Sequence, residues 1–145
     1  MTTVRHVAHA IASTGTVEPA YRIQIRTGTH QLVGDEPVEV GGADSGPSPF
    51  GLLTSALAAC TATTLRMYAE HKGWDLVRID VDVRYDVDDK GEGALIRTIT
   101  CPSDLSEEQL EGLGRTAERT PVTLALRAGT PITTTLRLGP NSRGG

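Results

Sequence analysis

The stretch Leu52-Leu53-Thr54-Ser55-Ala56-Leu57-Ala58-Ala59-Cys60 contains no charged residue, and from Leu52 to Lys72 the chain has neither glycine nor proline. Ser48-Pro49 precedes it as a helix start: serine as N-cap, proline at the first helical position, where its missing N–H costs nothing. Gly73 follows as the stop, with His71 and Lys72 in the last turn beside the negative end of the helix dipole. At ~1.5 Å per residue the segment runs about 30 Å, the width of a small domain. A helix that is apolar nearly all round is buried on all sides. This one is therefore expected at the centre of the fold, with Cys60 near its midpoint.

On the N-terminal side, Tyr21-Arg22-Ile23-Gln24-Ile25-Arg26 alternates apolar and polar residues, as a half-buried strand does. Thr27-Gly28-Thr29 turns the chain into a return strand, His30 to Val33, giving a hairpin. Val38-Glu39-Val40 reads as a short third strand, and Gly41 to Pro47 as a loop. On the C-terminal side, Val77, Ile79, Val81, Val83, Tyr85 and Val87 alternate strictly with polar residues. Asp88 to Gly93 turns that strand into another, Ala94 to Cys101. Ser106 with Gln109 fits a capping box, and Leu105 with Leu110 a hydrophobic staple. The helix so begun must end near Thr120, because Pro121 follows. Ile132 to Leu138 reads as a last strand. Residues 1–18 read as an N-terminal arm and 139–145 as a flexible tail.

This order makes one α+β domain over residues 1–145, with antiparallel sheets around a buried central helix. A chain of this size can hardly cover all sides of such a helix by itself. A second copy packed on the helix would resolve this, so a homodimer is expected. Hydrophobic residues make up 38% of the chain and aromatics only 3%, so the core must be built from Val, Ile, Leu and Ala. The net charge of -4 without a Lys/Arg cluster argues against nucleic acid as a partner. No apolar run reaches the ~20 residues of a membrane span. Arg5, His6 and His9 stand where a signal peptide would need an apolar block, so the expected location is cytoplasmic.

The two cysteines, Cys60 and Cys101, form no CxxC, and with four scattered histidines they make no metal pattern. Taken alone they read as two small buried hydrophobes. His6 and His9 lack a carboxylate partner and read as a solvated arm. His30 and His71 read as surface residues, and Asp35-Glu36 as turn chemistry.

The blocks Asp35-Glu36-Pro37, Gly41-Gly42, Gly46-Pro47-Ser48-Pro49, Ala56-Leu57-Ala58-Ala59-Cys60 and Leu65-Arg66-Met67-Tyr68-Ala69 follow one another in a specific order and spacing. Together they resemble the OsmC/Ohr family, the osmotically inducible and organic hydroperoxide resistance proteins. The likeness is greatest to the OsmC-like branch and extends from about Tyr21 to Leu138. It implies an OsmC-like α+β fold, an intertwined homodimer with active sites at the dimer interface, and no cofactor. In the peroxidase members a cysteine on the central helix attacks a hydroperoxide and becomes a sulfenic acid. A second cysteine then closes a disulfide, which a dithiol opens. Cys60 stands where the attacking cysteine stands.

Two positions depart from the pattern. Where the family commonly reads Ala-Glu-Lys-Cys-Pro-Val-His, this chain reads Ala117-Glu118-Arg119-Thr120-Pro121-Val122-Thr123, so Thr120 occupies the resolving cysteine's place. Cys101 lies at a strand end, and nothing in the sequence brings it within the ~7 Å between Cα atoms that a disulfide needs. The glutamate that orients an activating arginine in the family is also absent, Phe50 and Gly51 standing at its positions. Cys60 lies too deep in its helix for the dipole to help, so a cation is needed to favour thiolate. Arg22, Arg26 and Arg66 are the candidates, Arg66 being on the opposite side of the helix and so directed at the other subunit's site. The resemblance places the substrate pocket around Phe50, Leu53 and Thr120. A Thr120→Cys exchange there is expected to cost within ~1 kcal/mol, at a site not fully buried.

Two functions follow as expectations. The first is a thiol-dependent reductase of organic hydroperoxides, in oxidative-stress defence, using Cys60 with an external thiol as reductant. The alternative is an OsmC-like dimer without peroxidase activity that binds a small apolar ligand.

Overall fold

The computed structural model describes residues 2–15 and 21–140. Residues 16–18 of the expected arm and 141–145 of the expected tail lie outside the described residues. Strands β1 (Ala10–Thr14), β2 (Ile23–Thr27) and β3 (His30–Gly34) form an antiparallel sheet in that order. The expected hairpin is β2–β3, with Ile25 opposite Leu32 and Gly28 at the turn with φ of 57°. Val38–Val40 is not a strand but a single 3-10 turn, closed by the Gly41 amide donating to the Val38 carbonyl at 3.0 Å. Three residues next to a left-handed glycine are too few to find a ladder partner.

Helix α1 (Pro49–Lys72) begins and ends as its sequence directs. Ser48 Oγ accepts from the Gly51 amide at 3.0 Å, and Gly73 closes the helix at φ of 74°. The loop before it explains its own glycines. A side chain at Gly42 would meet the Glu36 backbone, and one at Gly46 the Val33 backbone. Asp35, buried at the head of this loop, accepts from the Ser45 hydroxyl at 2.6 Å and from the amides of Ser45 and Glu36. These bonds hold its carboxyl below the ordinary carboxylate range, the Ser45 hydroxyl being the largest cause.

Strands β4 (Asp80–Val87) and β5 (Gly93–Thr100) pair antiparallel. β4 starts at Asp80, so Val77 lies outside it and is exposed. Helix α2 (Glu107–Ala117) carries the full capping box, with both the Ser106 and Gln109 bonds present. It packs against α1 at Gly112, where a Cβ would crowd the Tyr68 hydroxyl. The core lies between these elements: Leu65 and Ala69 from α1, Leu76, and Leu113 and Ala117 from α2. Burying each such leucine is worth ~1.5–3 kcal/mol.

Two expectations fail here. Pro121 ends one helix but opens another, α3 (Pro121–Ala128), with Thr120 as N-cap and Gly129 as left-handed stop. Ile132 to Leu138 is extended but pairs with no strand among the described residues, and Ile132, Leu136 and Leu138 are almost wholly exposed. The central helix is also less enclosed than its composition predicts. Leu57, Thr61, Leu65 and Ala69 form its one buried stripe, while Phe50, Ala59 and Met67 face outward. The sheet β4–β5 and helices α2 and α3 cover that stripe alone, and one chain has no further layer to offer the other side.

Candidate functional site

Cys60 sits mid-way along α1, half-buried, with its Sγ 4.0 Å from Thr64 Oγ1 one turn further on. Cys101 follows the end of β5 and packs on the core beside Leu65 and Leu113. Burial there pushes its thiol pKa up. Both cysteines are free thiols.

Thr120 is completely buried, against the expectation of a partly exposed site. Its Oγ1 lies 2.6 Å from Thr123 Oγ1 and accepts from the Thr123 amide, which caps α3. The cause is the short link from α2 to α3, which folds the threonine inward under the helix it starts. Phe50 is more than half exposed and stacks on Tyr85, ring centroids 4.5 Å apart. Leu53 is half-buried on α1. Arg22 and Arg26 are exposed at the three-stranded sheet. Arg66 is exposed, paired with Glu70 at 2.9 Å, and donates to the Leu76 carbonyl at 3.4 Å. The polar partner of Cys60 among the described residues is Thr64, not one of these arginines.

Sequence reasoning passed over Arg97. Alternation along β5 puts Leu95, Arg97 and Ile99 on one face, so a charge interrupts an apolar row; that break in the pattern was the available signal. Its side chain is only 11% exposed. Arg97 Nη1 donates to Thr61 Oγ1 at 2.9 Å and to Thr123 Oγ1 at 2.8 Å. Thr61 in turn donates to the Leu57 carbonyl at 2.7 Å. A continuous polar chain thus runs Thr120–Thr123–Arg97–Thr61 and ends on the residue next to Cys60. Arg97 Nη2 stands 3.8 Å from Glu118 Oε1, while Glu118 bonds Arg127 directly. That bond from Arg127 holds the Glu118 carboxyl below its ordinary value. Beside the chain lies a cavity of about 240 Å³, walled by Leu57, Leu95 and Leu126 and by Arg97, Thr123 and Arg127.

A thiol at the middle of a long central helix, two antiparallel sheets and paired C-terminal helices define a class of α+β proteins. The chain belongs to the OsmC-like protein family, whose profile matches residues 42–135. No curated protein matches the chain. Among solved structures it is similar to a protein of Psychrobacter arcticus named for osmotic stress induction and a detoxification response, with TM-score 0.68 and 20% identity over 86% of this chain and 90% of that one. An OsmC-like protein of Mycoplasma pneumoniae gives TM-score 0.67 and 20% identity over 86% of this chain and 89% of that one. An organic hydroperoxide resistance protein OsmC of Legionella pneumophila gives 0.63 and 21% identity over 86% and 92%. At these identities the likeness establishes the OsmC-like fold. Among the described residues no helix is long and apolar enough to cross a membrane.

Proposed function

We propose that the chain is a thiol-dependent reductase of organic hydroperoxides that uses Cys60 alone. The observation that carries this reading is the contrast between its thiols. Cys101 is packed on the core with its pKa pushed up by burial, whereas Cys60 lies outside that core, half-buried on the central helix. The Legionella relative's name, organic hydroperoxide resistance protein, supports the same chemistry. The Cys60 thiolate attacks one peroxide oxygen, the O–O bond breaks, and the leaving alkoxide takes a proton to become an alcohol. Cys60 is left as sulfenic acid. One external thiol condenses with it, releasing water and forming a mixed disulfide; a second displaces Cys60 and leaves as the external disulfide. Thr120 carries no sulfur and so cannot replace the first of these thiols.

A homodimer completes the proposal. A second copy would cover Phe50 and Met67 on α1, and Ile132, Leu136 and Leu138, which one chain leaves exposed. It could also bring Arg22, Arg26 or Arg66 to the thiol, a cation the single chain does not place there.

The test is consumption of cumene hydroperoxide with dihydrolipoamide and, separately, with a monothiol. Turnover with either reductant, abolished in Cys60→Ser and largely kept in Cys101→Ser, is the expected result. Turnover that survives Cys60→Ser would refute the assignment.

A second reading has its own support. Cys60 lacks a cation partner in the single chain, while the leucine-walled cavity beside Thr61 is built to hold a small molecule. On this reading the chain is a binding dimer, and no peroxide is consumed with either reductant.

A further inference from the structure

We propose that the cavity between α1, β5 and α3 is a subsite for a small organic monocarboxylate, its chain against Leu57, Leu95 and Leu126 and its carboxylate on the Arg97 guanidinium. The proposal rests on the ligand-binding reading and does not depend on Cys60.

The charge arrangement carries the argument. A guanidinium has five N–H donors in a rigid fork. In Arg97 the two on Nη1 are spent on Thr61 and Thr123, which lock the side chain in place. The nearest carboxylate to Nη2, that of Glu118, is 3.8 Å away, beyond hydrogen-bond distance, and its other contact is the direct bond to Arg127. Arg97, Arg127 and Glu118 therefore sum to one uncompensated positive charge at the cavity wall. A cation buried to this degree without a bonded anion is costly, and an entering anion removes that cost.

The remaining lining selects among anions. The fork of Nε and Nη2 matches the two oxygens of a carboxylate. Three leucines opposite it suit an alkyl chain and offer nothing to a fully hydrated inorganic ion. The volume of about 240 Å³ falls below the ~300–1,000 Å³ of pockets for drug-sized molecules, so the acid is short.

The experiment is calorimetric titration of the full chain, at one protein concentration and fixed salt, with hexanoate, 1-hexanol and inorganic phosphate. Hexanoate should bind at least ~10-fold tighter than 1-hexanol, the scale of a charge-assisted hydrogen bond. Arg97→Met should erase that preference. Should Arg97→Met fail to fold, Arg127→Gln, at an exposed side chain, provides the second reading: hexanoate should weaken several-fold while 1-hexanol is unchanged. Equal binding of hexanoate and 1-hexanol overturns the anion subsite and leaves the ligand-binding reading standing. No binding by either overturns both. Phosphate binding as tightly as hexanoate overturns the organic acid, because the leucines would then contribute nothing.

Discussion

Thr120→Val probes the joint between α2 and α3. Valine keeps the branched shape of a fully buried threonine and removes only its hydroxyl. Two interactions go with it. The first is the N-cap acceptor for the Thr123 amide, worth ~1 kcal/mol at a helix start. The second is the 2.6 Å bond to Thr123 Oγ1, worth a net ~1 kcal/mol. Thr123 Oγ1 keeps Arg97 Nη1 at 2.8 Å and the Ala117 carbonyl at 3.5 Å, so no buried group is orphaned. Burying a methyl in place of the hydroxyl returns up to ~0.8 kcal/mol. The net loss is ~1–2 kcal/mol, which at this chain length lowers Tm by roughly 3–6 °C.

The assay is urea unfolding followed by circular dichroism at one protein concentration, on Thr120→Val, Thr123→Val and the double variant. Because the two hydroxyls bond each other, the double-mutant cycle should return a coupling of ~1 kcal/mol. A Thr120→Val chain as stable as wild type, with coupling under ~0.3 kcal/mol, would refute the claim that this pair holds α3 in place.

The same threonine bears on the redox chemistry: with no thiol there, stoichiometric peroxide should add oxygen to the wild-type mass, and loss of two hydrogens instead would reveal a Cys60–Cys101 bridge. Thr120→Cys forfeits the cap at a buried site, so it should cost ~1–2 kcal/mol rather than the smaller penalty of a partly exposed one; if it stands at the family's distance from Cys60, it should lose two hydrogens on oxidation. The folded pKa of Asp35 lies below the unfolded value of about 3.9, so its carboxylate stabilises the fold above that value and the contribution is lost as pH falls through it toward the folded pKa. Chemical denaturation should show wild type more stable than Asp35→Asn near neutral pH, with the gap closing below about pH 4; a gap that persists to pH 3 would contradict this sign. Sedimentation at micromolar concentration should give a particle of twice the 15.4 kDa chain, and a stable folded monomer would defeat the dimer proposal.

What could be read from the chain divides by the distance over which each feature is determined. α1 was legible to the residue because Ser48, Pro49 and Gly73 act on their own neighbours. The α2 start was legible for the same reason, Ser106 and Gln109 being three positions apart. α3 carries an equally local code in Thr120, Pro121 and Gly129, yet it was read as the end of α2. A proline forbids the helix behind it and favours the one ahead, and only the first half of that rule was applied. Ile132 to Leu138 failed differently. Alternation predicts which residues share a face, but a strand exists only where a ladder partner is present, and one described chain supplies none. The candidate site divides in the same way. Cys60 was found through its place in the helix and through family resemblance. Arg97 meets Thr61 from 36 residues away and Thr123 from 26, so no local rule couples them. Even so, β5 announced it: a guanidinium on the inner face between Leu95 and Ile99 must be paid for by buried acceptors. Finding where those acceptors come from is what required the fold.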